Sequence, residues 1–489
     1  MVKWLKRAAA LLATLFVLVL AWRVYDALRA PHLELWHTVV PHEATAKQIA
    51  KLDWAGYVAL ENKLFDEVRT EVTDKLDPED QVEANRYFSG SPLYPGRFEH
   101  DWNRSYIMKP AGTPVGAVVL LHGLTDSPYS LRHVARHYVR NGYAAVAIRL
   151  PGHGTVPAGL STVEWEQWMA ATHLAVREAR RLAPAPAPLH LVGFSNGGAL
   201  AMKYALEALD DPALAQPERI VLFTPMIGIT SMARFAGVLG WPALLPRFDK
   251  AAWLGIVPEF NPFKFNSFPV NGARQSSLVA RRLQAQIDRR AADGSLQRLP
   301  PVLTFQSVVD FTVSTRAIVN ALYGQLPANS SELVLFDLNR SAQFRVLMRP
   351  STETILTRLL PDPPRSFRTT LITNRNTGTD QVVARTIEAG STTETVRELD
   401  MAFPPGVFSL SHLAIPFPLS DSLYGMRPDA SDEYFGAHLG EMATRGERGT
   451  LIVSIDTLAR MSSNPFFDYL MERIDAGIPD FEKSLKAAG

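Results

Sequence analysis

Six runs of strand length punctuate residues 116–338: "GAVVLLHG" (116–123), "YAAVAIRL" (143–150), "LHLVGFS" (189–195), "RIVLFTP" (219–225), "PVLTFQSVVD" (301–310) and "ELVLFDL" (332–338). They do not alternate apolar with polar residues, so both faces of each strand must be buried. That pattern belongs to a parallel sheet between two helical layers, and helix-patterned segments of the length parallel crossovers need lie between the runs. The chain is therefore α/β. With 489 residues, 47% of them hydrophobic, it has material for a large core, which excludes a disordered or fibrous protein. Fifty basic against forty-nine acidic residues leave no field that would gather nucleic acid, so no nucleic-acid partner is expected. The absence of cysteine removes disulfides, thiolate nucleophiles and Cys-ligated metals together.

At the amino end, Lys3, Lys6 and Arg7 precede an uncharged stretch from Ala8 to Trp22. This reads as a targeting segment, either an uncleaved signal anchor or a cleaved signal peptide over residues 1–30, with an ordinary buried helix as the plain alternative. Trp4, Trp22 and Tyr25 suit the two interfaces of a membrane. Either targeting reading leaves the amino terminus in the cytoplasm and the rest of the chain anchored or exported at the extracytoplasmic face, with the membrane as partner through this segment. Residues 31–104 form a helical extension: Ile49, Leu52, Trp54, Tyr57, Leu60, Leu64, Phe65 and Val68 follow helical spacing, and the loop "SGSPLYPGRF" closes it. The main domain runs from 105 to 489. Within it, 226–300 is rich in Phe, Trp, Leu and Pro ("FAGVLGWPALLPRF", "GIVPEFNPFKFNSFPV") and is expected to cap the carboxyl edge of the sheet. Residues 339–404, with "RTTLITNRN" and "QVVARTIEAG", read as a β-rich insertion, and "PFFDYLMERI" as a packing helix.

The third run ends at Ser195, held between Gly193 and Gly197 and followed at once by a helical pattern. A sharp turn from strand to helix lifts one side chain clear of the sheet, and the residues two before and two after it must lack bulk. A serine hydroxyl there is a nucleophile only if a base takes its proton and an acid holds that base. For a strand-turn-helix nucleophile the order along the chain is Ser, then Asp or Glu, then His. Asp310, just past its strand run, is the candidate acid; Asp337 is its rival but sits inside a strand pattern and reads as structural. Only His412 and His438 follow Asp310, and His412, in a short apolar element before a Pro-rich loop, is the better base. The oxyanion donors are expected to be the backbone N–H groups of Asn196 and Leu124. His122 reads as a structural hydrogen-bonder of that second loop, and His153 as part of a loop-shaping turn.

Taken in order, "LLHGLTDSP", "RLPGHGT", "VGFSNGG", "SVVDFTVS" and "SLSHLA" resemble the α/β-hydrolase superfamily, and within it the monoacylglycerol lipase and bacterial carboxylesterase branch. The resemblance implies a mostly parallel sheet covered by helices, to which this chain's own residues add a cap after strand 6 of the fold and, as a departure from the family's pattern, a β-rich insertion before the catalytic His. It also implies Ser195, Asp310 and His412 as a triad, with Leu124 and Asn196 as oxyanion donors. The expected activity is that of a serine hydrolase cleaving a small-molecule ester or lipid through an acyl-enzyme. The alternatives are an amidase, peptidase or carbon–carbon bond hydrolase on the same fold, or a non-catalytic exported scaffold. No metal or cofactor is implied, and nothing sets the oligomeric state. The 102 residues between acid and base exceed what the fold needs, so the 339–404 insertion is expected to be looped out of the way.

Overall fold

The computed structural model describes residues 2–228, 246–341, 347–350, 355–442 and 450–478. Ten strands form one sheet: β1 (Tyr106–Met108), β2 (Gly116–Leu121), β3 (Tyr143–Ile148), β4 (Leu189–Phe194), β5 (Arg219–Phe223), β6 (Val302–Ser307), β7 (Glu332–Phe336), β8 (Arg368–Asn374), β9 (Gln381–Ile387) and β10 (Glu394–Ala402). Their order across the sheet is β1-β3-β2-β4-β5-β6-β7-β8-β9-β10. Pairing is parallel from β3 through β8 and antiparallel at both margins, where β1 joins β3 and where β9 and β10 follow β8. β2, β3, β4, β6 and β7 are buried along their whole length, as apolar runs without alternation require.

Helices cover both faces. On one lie α4 (Trp165–Leu182), α5 (Asn196–Ala208) and α6 (Val270–Asp293), which share a core with Val119 and Leu121 of β2. On the other lie α3 (Arg132–Arg140) and α7 (Phe467–Asp475), which share a core with Val118 and Leu120. Successive residues of one strand thus feed opposite cores, as the pleat dictates. Of the expected cap, 229–245 lies outside the described residues. Residues 253–269 form a strap whose ends pair as a short ribbon, and α6 is the crossover that leads into β6.

The described part of the 339–404 insertion is extruded as an extension of the sheet. Its strands continue the sheet, with Leu371 of β8 beside Leu335 of β7. The added material grows outward from an edge and leaves the parallel centre undisturbed. β10 escapes a hydrophobic reading because only Leu399 among its side chains is buried; its Glu394, Arg397, Glu398 and Asp400 charge the sheet's last edge and discourage further pairing.

Helix α2 (Trp54–Glu71) is tied to the sheet by Arg149, whose side chain is fully buried between Glu43 (2.7 Å) and Glu61 (3.0 Å). Removing one partner of such a pair leaves an uncompensated buried charge and costs about 3–5 kcal/mol. Helix α1 (Val2–Arg29) differs from all the others. Its 28 residues span about 42 Å, and Lys6–Arg29 is long and apolar enough, with a mean hydropathy of 2.0, to cross a membrane. Leu11, Leu15, Leu18 and Trp22 are each more than half exposed, which does not fit a helix buried in a soluble core. Among the described residues it touches the body near its carboxyl end, where buried Arg23 donates to the carbonyls of Ala251 and Trp253.

Burial pushes His37 and His133 down to about 4, and His153 and His190 to about 3. These rings are neutral in the fold, and once released they take a proton near pH 6.5. Their folded pKa values lie below the unfolded one, so their contribution is complete above about pH 6.5 and is lost as pH falls toward about 4. Half-buried Asp80, raised to about 6 by burial and by Glu34, works in the opposite sense, as do buried Glu61, Asp126 and Glu259, whose carboxyl groups burial raises, while buried His122, lowered by burial, adds to the histidine side. Denaturant unfolding followed by circular dichroism should show a lower midpoint at about pH 5 than at about pH 7.5, each histidine contributing up to ~1.4 kcal/mol per pH unit. An unchanged midpoint over that interval would contradict this assignment.

Candidate active site

Ser195 stands at the end of β4 with φ 52° and ψ −113°, a left-handed conformation that costs a non-glycine residue about 1–3 kcal/mol. The turn is held from both sides. The Ser195 N–H donates to the Phe223 carbonyl (2.9 Å), and its own carbonyl accepts from the N–H groups of Gly198 and Met226 (both 3.0 Å). The flanking glycines are required by contact. A Cβ on Gly193 would lie 2.5 Å from the Gly197 carbonyl oxygen, and one on Gly197 would lie 2.0 Å from the Leu121 carbonyl oxygen. The start of α5 is therefore pressed against the end of β2, with its first N–H groups beside the serine.

Asp310 follows β6, and its carboxylate is saturated with donors. Oδ1 accepts from the N–H groups of Thr312 (2.7 Å) and Val313 (3.0 Å), and Oδ2 from His412 Nδ1 (2.9 Å) and Gln306 Nε2 (3.1 Å). Burial alone would raise this carboxyl group; its interaction with neighbouring His412 and these hydrogen bonds outweigh burial and hold the group below the usual carboxylate range. Because the carboxylate only accepts, Nδ1 of His412 carries the proton and Nε2 is the free nitrogen. The His412 ring lies 5.4 Å, centroid to centroid, from Phe194, the residue before Ser195. No hydrogen bond joins Ser195 Oγ to His412 Nε2 among the described residues, and neither atom is sealed from solvent. Such contacts are often loose without substrate.

The His412 loop is clamped to the Asp310 loop. Arg460 accepts from Ser411 Oγ through its carbonyl (2.7 Å) and donates from its guanidinium to Thr312 Oγ1 (2.8 Å). Farther on, buried Arg132 of α3 pairs with buried Asp421, which also accepts from Tyr129 and from the N–H groups of Leu423 and Tyr424. Neither Gln306 nor Arg460 belongs to any motif. Gln306 is one of three polar residues in β6, with Thr304 and Ser307, and only the fold puts its amide on Asp310.

The expected oxyanion loop lies against the serine: a Cβ on Gly123 would be 3.3 Å from Ser195 Cβ. Leu124 is half-buried in the turn that follows. The next residue, Thr125, has φ 63° and accepts from the Phe265 N–H at 2.7 Å, so the strap braces this loop. Asn196 is the first residue of α5, where an N–H has no partner within the helix; its side-chain oxygen accepts from Ser276 of α6 (2.6 Å).

The other candidates are engaged elsewhere. His122 Nε2 accepts from the Leu150 N–H (3.0 Å), so Nδ1 donates to the Gly123 carbonyl (2.9 Å), and burial keeps the ring neutral. His153 donates to the carbonyls of Leu150 and Pro151. His438 donates to the Ser422 carbonyl (2.8 Å), away from the turn. Asp337 is buried with Arg340 and Thr373. Phe260, Phe263 and Phe265 of the strap are core residues, Phe263 stacking on Tyr129 at 4.1 Å. A cavity of about 800 Å³ opens at the amino ends of β5 to β8, beside Arg219, Glu332, Arg368 and Arg473, on the far edge of the sheet from Ser195. Ser195, Asp310, His412, Leu124 and Asn196 all gather at the carboxyl edge, where open α/β sheets bind ligands.

Residues 112–330 match the serine aminopeptidase S33 family of hydrolases. The thermostable monoacylglycerol lipase of Bacillus sp. (strain H-257) is 26% identical over 177 residues, 36% of this chain and 66% of that one, so the match spans just under two thirds of the relative. Solved structures that overlap part of the chain include a monoacylglycerol lipase from Paleococcus ferrophilus, at 20% identity and TM-score 0.35 over 52% of this chain and 99% of that one. Another is a monoglyceride lipase from Saccharomyces cerevisiae, at 15% identity and TM-score 0.37 over 47% of this chain and 81% of that one. Over residues 112–330, a little under half of its length, the chain is similar to this family of hydrolases, and over 177 residues it is similar to a monoacylglycerol lipase.

Proposed function

We propose that this protein is a membrane-anchored serine hydrolase that cleaves carboxylic esters, lipid monoesters among them, through an acyl-enzyme. Ser195 Oγ attacks the ester carbonyl carbon while His412 Nε2 takes its proton. The oxyanion is held by the N–H groups of Leu124 and Asn196, and Asp310 steadies the imidazolium. His412 then returns the proton to the departing alcohol as the carbon–oxygen bond breaks, leaving an acyl-serine. Water, deprotonated by the same ring, attacks the acyl carbon and releases the acid with the serine restored. The observation that carries this reading is the strained Ser195 turn beside an imidazole whose other nitrogen is fixed on a saturated, buried carboxylate. Helix α1, apolar and exposed, supports the membrane assignment, with the body on the extracytoplasmic side.

The test is a fluorophosphonate probe together with p-nitrophenyl esters of graded chain length and an aminoacyl p-nitroanilide. The wild type should be labelled and should hydrolyse the esters faster than the anilide. Ser195→Ala should lose labelling and about a million-fold in kcat, and Asp310→Asn about 10⁴-fold. Equal labelling of wild type and Ser195→Ala rejects the mechanism; preference for the anilide moves the enzyme to the amidases.

Gln306 is a positioning residue for the acid, sharing Oδ2 with His412. Gln306→Leu removes a donor to a charged group and should lower kcat about ten- to a hundredfold with KM little changed. The carboxylate becomes more basic and favours the imidazolium, so the acid limb of the kcat/KM profile should move to higher pH. A change in KM alone, with the profile unmoved, would count against this role.

A further inference from the structure

We infer that the cleft at the foot of α1 is a seat for the bilayer surface, taking acyl chains beneath uncharged or zwitterionic headgroups, so that the catalytic body rests on the membrane as well as hanging from it. The inference rests on reading α1 as a membrane helix. The cleft holds about 300 Å³, and Pro31, Trp36, Val82, Val257, Pro258 and Ile452 supply its apolar lining. Three of these come from stretches far apart in the chain and stay exposed: Val82 by 49%, Val257 by 43% and Ile452 by 55%. Leu254 and Leu451 beside them are exposed as well. A lone exposed aliphatic residue is ordinary, but here they converge on one opening.

Its place in the fold names the occupant. Pro31 lies two residues beyond Arg29, the last residue of α1, so the cleft stands within about one helical turn of the carboxyl end of α1. The helix does not swivel freely there. Arg23 holds the carbonyls of Ala251 and Trp253, and Lys250 Nζ donates to the Ala30 carbonyl at 2.9 Å. Arg29 and Lys250 then stand where headgroups lie. The polar rim is acidic, made by Glu34 and Asp80 with Asp77 and Glu79 beside them, and it would repel anionic headgroups. The cleft wall and the brace of the oxyanion loop are one strap. Val257 is joined to Ser267, buried Glu259 accepts from the N–H groups of Asn266 and Ser267, and Phe265 donates to Thr125.

The chain has no cysteine, so single labels are unambiguous. Full-length Ile452→Cys and Val257→Cys, each carrying an environment-sensitive fluorophore, are placed in phosphatidylcholine vesicles with and without acyl-brominated lipid. Leu15→Cys reports on α1, and Val396→Cys on the exposed β10 edge away from the cleft. Labels at 452 and 257 should be quenched nearly as strongly as the one at 15 and several-fold more than the one at 396. If 15 is quenched while 452 and 257 behave like 396, the seat is overturned and the anchor stands; blue-shifted but unquenched labels at 452 and 257 mean another protein segment fills the cleft and overturn it equally. If none is quenched, anchor and seat both fall. None of these readouts depends on hydrolysis, so the fate of the ester-cleaving proposal is decided separately.

Discussion

The rest of the site depends on the contact between Gly197 and the carbonyl of Leu121. No side chain fits there, since a Cβ would lie 2.0 Å from that oxygen. The start of α5 can therefore settle onto the end of β2 closely enough to bring two loops together: the turn carrying Ser195, and the His122-Gly123-Leu124 stretch that leaves β2. The strain at Ser195 is the other side of that approach. A relaxed serine would let the helix start farther from β2 and from Gly123, whose Cβ position lies 3.3 Å from Ser195 Cβ. Close-packed interiors transmit such constraints because neighbouring groups have nowhere to retreat.

Two buried arginines do at longer range what the glycines do locally. Arg149 ties the stretch from Glu43 to Glu61 to the end of β3, and Arg132 ties the segment after His412 to α3. Buried ion pairs are weak evidence for stability, because desolvation consumes most of the attraction. Their effect here is on position. Asp421 follows His412 by nine residues and accepts from Arg132, Tyr129 and two backbone N–H groups, so His412 arrives on a segment with little freedom. This reconciles the long interval between acid and base with a tight Asp310–His412 contact. The intervening strands extend the sheet outboard of β7, and the chain returns over the edge they leave.

What could be read from the sequence was whatever depended on short-range rules. The six apolar runs became β2 to β7 within a residue or three, since strands buried on both faces advertise themselves. Asp310 and His412, picked by chain order, do meet, and the glycines around Ser195 do have the contacts their spacing suggested. The unread parts were those decided by neighbours distant in sequence. β10 is polar because it is an edge. β8 and β9 looked like strands, but their hydrophobicity says nothing about which sheet they join. Gln306 and Arg460 are ordinary residues until β6 and the His412 loop are placed beside each other.

Hydrogen bonds, joined by short stretches of the strap itself, lead from the apolar helix to the carboxyl edge of the sheet: Arg23 to Trp253, Val257 to Ser267, Glu259 to Ser267 and Asn266, and Phe265 to Thr125, one residue from Leu124. Contiguity of this kind does not amount to a switch, which needs an element with two arrangements that both ends bias. The strap has the features of a rigid brace. Glu259 is buried and bound to its own chain, and Phe263 and Phe265 are locked in the core. The physical role that follows is placement. The same strap that receives the end of α1 supports the Leu124–Thr125 turn from behind, so the orientation of the sheet's carboxyl edge relative to the apolar helix is built into the fold.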